Sequence, residues 1–204
     1  MRITGGTAGG RTLRVPKGVG VRPTPDRVRQ AIFNSLGDFV QSARVLEIFG
    51  GSGALSLECL SRGAVSAACI ELSSRHARFI RENGRSLGVD SRKFSVKVSD
   101  AFAAIAQFSA GGGQFDLIMA DPPFGEKVLG TRSKSYSQRV LDDSNLPGLV
   151  AAGGVLVLGH AKRDRVSVPA PWEELKLLKH GDSMFRILVV ASPAREQPLL
   201  EPVE

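Results

Sequence analysis

Four consecutive residues, Asp121-Pro122-Pro123-Phe124, combine groups that rarely stand together by accident. Two successive prolines cannot continue a sheet ladder or start a helix in mid-turn. They hold the chain rigid and leave carbonyls without neighbouring N–H donors. A carboxylate beside such a carbonyl offers two fixed acceptors, and the phenylalanine offers a flat apolar face. An exocyclic amino group on a planar base is the chemical partner these suit. Its lone pair is delocalised into the ring, so it is a poor nucleophile. Two acceptors, one for each N–H, draw the nitrogen toward tetrahedral geometry and free the lone pair. The ring of Phe124 can stack on the base and aim it. Asp121, Pro122, Pro123 and Phe124 are therefore the catalytic candidates.

A second group of residues suits a nucleoside. Val45-Leu46-Glu47-Ile48-Phe49-Gly50-Gly51-Ser52-Gly53 reads as a strand, a glycine turn and the start of a helix. Glycines let the backbone turn sharply and approach a ligand closely. A dinucleotide site would show G-x-G-x-x-G, whereas here Gly51-x-Gly53 runs into Leu55-Ser56 without the third glycine. Glu71, followed by Leu72, ends the next strand 20 residues after Gly51, the spacing at which a carboxylate accepts both ribose hydroxyls. Asp100, followed by Ala101, comes just after a third strand and can accept a hydrogen bond from an adenine amino group. It is equally placed to cap the next helix. The bland alternatives are a structural turn, a solvated strand-end carboxylate and a helix cap. Taken with Asp121, these residues point to S-adenosylmethionine, whose sulfonium is already a good methyl donor. The protein's remaining task is in-line positioning and removal of water.

The elements that must hold these residues alternate strand and helix after residue 43. Strands are expected at 44–49, 67–71, 94–98, 115–120 and 154–159, and a final pair at 174–179 and 184–191. Helices are expected at 52–62, 73–87, 100–108 and 138–150. Repeated βα units of this length imply an α/β fold, a parallel sheet covered by helices on both faces, and the final pair makes the seven-stranded sheet mixed. Residues 1–22 read as an N-terminal β-hairpin extension, residues 23–192 as the main domain, and residues 193–204 as a disordered tail. Thr24 is expected to cap a helix begun by Pro25 and Asp26, with Val28, Ile32, Phe33 and Leu36 as its apolar stripe.

Charge adds a partner class. The chain is 204 residues long with a net charge of +7, and residues 1–34 hold seven basic residues against Asp26, a net +6. Such a cluster can neutralise phosphates, although a solvated basic surface would look the same. A second basic stretch, residues 125–139, carries Lys127, Arg132, Lys134 and Arg139 with the single tyrosine, Tyr136. It reads as a loop that closes on RNA, or else as a disordered basic insertion. Cys59 and Cys69 read as reduced core thiols. Two cysteines and three scattered histidines give no zinc-ligand spacing, so no metal site is expected. No apolar run is long enough for a membrane span, and a cytoplasmic protein is expected.

With these residues in view, the chain resembles the class I methyltransferases with a Rossmann-like fold. Within them it resembles the RsmD family, the bacterial 16S ribosomal RNA guanine-N2 methyltransferases. The likeness rests on Met1-Arg2-Ile3 with Gly9-Gly10-Arg11-x-Leu13, on Arg22-Pro23-Thr24-x-Asp26-Arg27-Val28-Arg29, and on Phe33-Asn34-x-Leu36. It continues through Phe49-x-Gly51-Ser52-Gly53-Ala54-Leu55, Glu58-x-Leu60-Ser61-Arg62-Gly63-Ala64 and Asp121-Pro122-Pro123-Phe124. The resemblance implies that Glu47, Phe49, Gly51 and Gly53 shape the methionine end of the cofactor pocket. Glu71 with Leu72 would serve the ribose side, and Asp100 with Ala101 the adenine. Asp121 and Phe124 would hold the target guanine. Arg2, Arg11, Arg14, Arg22, Thr24, Arg27 and Arg29, with Lys127, Arg132 and Lys134, would contact RNA. The implied substrate is 16S ribosomal RNA, within a partly assembled small subunit, with the enzyme as a monomer. Two residues depart from the family: Glu47 stands where Asp is usual, and Gly50 where Ala is common. Two other readings stand beside this one: adenine-N6 methylation of DNA, and a non-catalytic RNA-binding assembly factor.

Overall fold

The computed structural model describes residues 1–15, 24–123 and 133–191. Its strands are β1 Arg44–Ile48, β2 Ser66–Glu71, β3 Phe94–Val98, β4 Phe115–Ala120, β5 Val150–Ala161, β6 Trp172–His180 and β7 Ser183–Val190. They form one sheet in the order β3-β2-β1-β4-β5-β7-β6. The first five strands are parallel, while β7 runs antiparallel to β5 and to β6. The order reverses between β1 and β4, which opens a crevice at the carboxyl ends of those strands.

The helices are α1 Asp26–Leu36, α2 Ala54–Ser61, α3 Ser74–Ser86, α4 Ala101–Ala110, α5 Tyr136–Asp142 and α6 Leu146–Leu149. On one face Val28, Ile32, Phe33 and Leu36 of α1 pack with Val45, Leu117, Val155 and Ile187. On the other, Ala104 and Ile105 of α4, Val140 and Leu141 of α5 and Leu149 of α6 pack with Leu46, Ile48, Ile118 and Leu156. Both sheet faces are thus covered, which is why the strands read as nearly continuous apolar runs.

Glu47 is buried within this apolar strand, and the reason is α2. Gly53 at the helix N-cap (φ 72°) has no side chain to cap it. The Glu47 carboxylate does so from the strand below, where Oε2 accepts from the Ser56 backbone N–H at 3.0 Å. The Cys69 thiol donates to the same oxygen at 3.4 Å. Burial pushes the Glu47 carboxyl up to about 7. The neighbouring departure belongs to the same packing unit, since a Cβ on Gly50 would lie 2.5 Å from Cys69 Sγ and 3.1 Å from Ile80 Cδ1. The sulfur fills the room that an alanine methyl would need.

The N-terminal segment is fastened to α1 and α2 by buried charge. Residues 1–15 fold back on themselves through the antiparallel bridge Arg2–Thr12, with Ile3 N–H donating to the Arg11 carbonyl and Leu13 N–H to the Met1 carbonyl, each at 2.9 Å. Ile3 and Leu13 pack with Ala54, Leu57 and Leu87. Arg29 and Glu58 are both closed to solvent, with Arg29 Nε 3.9 Å from Glu58 Oε2. Arg29 donates to the carbonyl of Thr24 (2.6 Å), to Asp26 Oδ1 (2.9 Å) and to the carbonyl of Arg2. Glu58 accepts from Thr4 N–H (2.8 Å), the Thr4 hydroxyl (2.8 Å) and Arg62 Nε (2.9 Å).

Several expectations are corrected. Thr24 does not cap α1: Pro25 stands at the N-cap and no side chain bonds there. The single helix expected at 138–150 is two, α5 and α6, because Asp143 ends the first and Pro147 opens the second. β5 is longer than expected, running through Gly153 and Gly154 with a register shift between Phe115 and Leu117 of β4. The tail beyond residue 191 lies outside the described residues.

This packing can be tested at two points. Glu58→Ala leaves Asp26 as the remaining carboxylate on the buried Arg29 and takes the acceptor from Thr4 and Arg62, and should lower unfolding stability by about 2–4 kcal/mol in urea titrations. A loss under about 1 kcal/mol would show that the pair is not holding the segment. Gly50→Ala should destabilise by roughly 1–3 kcal/mol, and adding Cys69→Ala should recover most of that loss. Additive effects in this double-mutant cycle would place the clash elsewhere.

Candidate active site

Strand register brings the chemical candidates into one row. Ile48 of β1 pairs with Ile70 of β2 and with Ala120 of β4. The next residue of each strand is therefore level: Glu71, Phe49 and Asp121, on adjacent strands about 4.8 Å apart. Glu71 in turn pairs with Val98 of β3, two residues before Asp100.

The turn after β1 is fixed by its own backbone and by Glu71. Gly50 N–H donates to the Ile70 carbonyl at 2.8 Å, and Gly53 N–H to the Gly50 carbonyl at 2.7 Å. Glu71 Oε2 accepts from Gly51 N–H at 2.7 Å, and Oε1 from Ser73 N–H at 2.8 Å. Phe49 sits at φ 67°. For a non-glycine residue that costs about 1–3 kcal/mol, held in place here by the surrounding bonds. At Gly51, φ 55°, a Cβ would meet nothing closer than 4.0 Å, so that side of the turn is open.

This donor and acceptor set suits a nucleoside with a free diol. An ionised carboxylate has about four acceptor sites. Glu71 uses two on the turn and retains capacity for two hydroxyls. Leu72 (70% exposed) and Val98 (45% exposed) present apolar surface beside it, of the kind an adenine ring covers. Asp100 caps α4 through Oδ1, accepting from Phe102 N–H (2.9 Å) and Ala103 N–H (3.1 Å). No described residue donates to its other oxygen. Ala101 is buried behind it at the start of α4, and Glu47 lies enclosed beneath the turn.

Asp121 stands on the other side of the crevice. It is half-buried, Pro122 is buried and Pro123 is exposed. Asp121 Oδ2 accepts from the Thr24 hydroxyl. Desolvation pushes its carboxyl up to about 6, while the Thr24 hydroxyl pulls the other way. Phe124 lies outside the described residues. Three other rings border the crevice. Phe49 meets Phe102 edge-on at 6.2 Å and Tyr136 at 5.8 Å, and the Arg139 guanidinium lies 4.1 Å from the Phe102 centroid. Tyr136 opens α5, so the described end of the basic stretch is helix rather than loop.

The basic candidates separate into three groups. Arg2, Arg14, Arg27 and Lys134 are exposed, Arg2 in contact with Asp26 at 3.2 Å and Arg14 with Glu82 at 3.8 Å. Arg11 is exposed, but its guanidinium caps α3 through the carbonyls of Ser86 and Leu87. Arg29 is corrected: with no exposed surface it is a structural residue and cannot reach RNA. Thr24 is partly exposed and donates its hydroxyl to Asp121, which places it beside the candidate catalytic carboxylate. Arg22, Lys127 and Arg132 lie outside the described residues. Sequence reading missed Lys162, Arg163 and Arg165, all exposed or partly so. They follow β5 directly, and β5 ends on the same rim as Asp121 because it runs parallel beside β4. Strand order was the signal that could have found them.

Comparisons with known proteins agree with this architecture. The family model described as conserved hypothetical protein 95 matches residues 1–189. Ribosomal RNA small subunit methyltransferase D of Escherichia coli K12 is 39% identical over 187 residues, 92% of this chain and 88% of that protein. The solved structure of Escherichia coli yhhF superposes with a TM-score of 0.74 at 31% identity, covering 93% of this chain and 97% of that one. A hypothetical protein of Thermus thermophilus gives a TM-score of 0.75 at 28% identity, covering 93% and 99%. The chain, with its mixed seven-stranded sheet and its Asp-Pro-Pro at the switch point, belongs to the conserved hypothetical protein 95 family, the RsmD-like methyltransferases.

Proposed function

We propose that this chain moves a methyl group from S-adenosylmethionine to the exocyclic N2 of a guanine in 16S ribosomal RNA, acting as a monomer on a partly assembled small subunit. Residues 23–192 serve as the catalytic domain and 1–22 as its extension. The observation that carries the reading is Asp121, a desolvated carboxyl level with the open glycine turn and with Glu71. A ribosomal RNA substrate supports a cytoplasmic location for the chain.

S-adenosylmethionine would supply a methyl group on a sulfonium, with the neutral thioether as its leaving group. Glu71 accepts the ribose hydroxyls with the sites that Gly51 and Ser73 leave unused. Leu72 and Val98 would face the adenine with Ala101 behind Asp100, whose second oxygen would accept from the amino group. Gly51 and Gly53 let the backbone approach the methionine end, which Phe49 borders. Glu47 acts from beneath, holding the turn against α2. Asp121 accepts one N–H of the guanine amino group and a carbonyl of the Pro122–Pro123 pair accepts the other, with Phe124 stacked on the base. Asp121 then takes the proton that the methylated nitrogen sheds and passes it to water, a transfer suited to a group near 6. Arg2, Arg11, Arg14, Arg27, Lys134, Lys162, Arg163 and Arg165, with Arg22, Lys127 and Arg132, contact RNA phosphates. A non-catalytic binder would have no use for Asp121 or for the open side of the turn. A DNA enzyme would ordinarily need a target-recognition region beyond this single sheet.

Asp121→Asn should lower kcat by at least about 100-fold while cofactor affinity, read by calorimetry, stays within about twofold. Glu71→Ala should do the reverse and raise the cofactor Kd by roughly 10–100-fold, the loss of hydrogen bonds to a charged acceptor. The substrates to compare are small-subunit particles from cells lacking this chain and duplex DNA, with N2-methylguanosine located by mass mapping. Methyl groups appearing on adenine, or on DNA alone, would overturn the reading.

Lys162→Glu with Arg165→Glu should raise KM for the RNA particle about tenfold. It should also flatten the dependence of log Kd on log salt by about 1–2, as expected when one or two phosphate contacts are lost. Cofactor Kd should not move. An unchanged salt slope would remove this end of β5 from the RNA surface.

A further inference from the structure

Thr24 reaches the active site from outside the sheet. It directly precedes Pro25 and α1, and its carbonyl accepts from Arg29 Nη1 at 2.6 Å. Arg29 is itself fixed, closed to solvent and bonded to Asp26 and to the Arg2 carbonyl. The Thr24 hydroxyl donates to Asp121 Oδ2. On the opposite side a Cβ on Gly159 would collide with Asp121 Oδ1, so that oxygen rests in the notch left by a glycine of β5. The Gly159 carbonyl is held in turn by the Ser137 hydroxyl at 2.9 Å. Three separate parts of the chain therefore locate the two oxygens of one carboxylate.

We infer that Thr24 is a positioning residue for the methyl transfer: its hydroxyl holds the Asp121 carboxylate in the orientation that receives the target amino group, and Arg29 holds Thr24. The inference rests on the proposed role of Asp121. The chemistry of the donor favours it. A hydroxyl takes one of about four acceptor sites and leaves the rest for substrate. It also stabilises the ionised form without cancelling the negative charge that attracts an amino N–H. An arginine in the same place would neutralise that charge and occupy two sites.

The surroundings leave Thr24 as the group that matters. Among the described residues no other side chain donates to Asp121. Gly159 of β5 and Phe185 of β7 border the notch and bring no titratable group. His160, the next residue of β5, accepts from Arg186 Nε at 3.1 Å. Asp26 and Arg29 lie behind Thr24 and bond each other. Burial raises the Asp121 carboxyl to about 6 and the Thr24 hydroxyl opposes that rise. Removing the hydroxyl must raise it further. Transfer needs the ionised form, so the acid limb of activity moves to higher pH.

The test compares Thr24→Val, which keeps the shape and loses the donor, with Thr24→Ser, which keeps the donor. Thr24→Val should lower kcat at pH 7 by roughly 10–100-fold, the worth of a hydrogen bond to a charged group. The acid limb of kcat should shift upward by about one unit. Cofactor Kd and RNA Kd should stay within about twofold, and Thr24→Ser should restore kcat to within about threefold of wild type. If valine does not pack, Thr24→Ala removes the same hydroxyl without adding bulk and is read in the same way. Carbon-13 titration of the Asp121 carboxyl in the RNA-free protein gives a second readout, with a higher midpoint expected in the variant. An unchanged kcat and midpoint would overturn the inference. So would a loss confined to RNA binding, or a serine variant as impaired as valine. A wild-type protein that transfers no methyl group to ribosomal RNA would overturn the methyltransferase reading instead. An active wild type indifferent at Thr24 would overturn only this inference.

Discussion

Arg29 and Glu58 are opposite charges with no exposed surface, and the placement of the active site depends on them. Moving two such ions out of water costs several kcal/mol each, and attraction alone does not return it unless the remaining hydrogen-bonding capacity is filled. Here it largely is. Glu58 takes donors from Thr4 and Arg62, and Arg29 gives to three acceptors on residues 2, 24 and 26. The result is geometric more than energetic. Glu58 sits on α2, the helix that leaves the glycine turn, and Arg29 sits on α1, which Thr24 leads into on its way from Asp121. One ion pair thus references both the turn and the carboxylate across the crevice.

The sheet supplies the rest of the geometry. A carboxylate at the end of β2 and another at the end of β4 can act on one ligand pair only if their strands end level. The pairings of Ile48 with Ile70 and with Ala120 make them so. Slippage by one residue would turn every side chain of a strand to the opposite face. Both faces are buried here, so the core enforces the register and with it the row of Glu71, Phe49 and Asp121. Phe49 carries the strain of that arrangement at φ 67°, where the chain must leave the sheet and let Gly51 face outward.

The row was legible in the sequence because its chemistry restricts residue types. The sheet was legible because glycines close its helices at predictable intervals, as at Gly63 and Gly88. Arg29 was not. Positions 29, 32, 33 and 36 share one face of a helix by their spacing alone, but an arginine there reads as surface until its counter-ion is known, and Glu58 lies 29 residues further on. Thr24 escapes sequence reading for a similar reason. Local rules make Thr before Pro a cap, and only the tertiary structure shows that a carboxylate 97 residues away takes its hydroxyl. Pro147 should have divided the expected helix at 138–150, since a proline opens a helix more readily than it continues one. Lys162 and Arg165 needed the strand order before their place on the rim could be seen.

The departure at Glu47 shows how the site divides its charges. Its carboxylate meets the Ser56 N–H and the Cys69 thiol. Glu71 is held by the Gly51 and Ser73 N–H groups, and Asp121 by the Thr24 hydroxyl. His76 Nδ1 lies 3.6 Å from Glu71 Oε1. Among the described residues, these three carboxylates are thus fixed by neutral donors, and none is paired with a lysine or an arginine. The buried arginine nearby pairs elsewhere, Arg29 with Glu58, while the exposed ones stand at the edge of the crevice or beyond it. A chain of net charge +7 therefore keeps an acidic interior to its site. That arrangement fits the proposed chemistry from both sides. An amino group calls for a carboxylate that no cation neutralises at short range, where low dielectric strengthens the attraction. Phosphates call for cations at the rim, where counterion release supplies affinity and the basic residues cannot quench the carboxylates within.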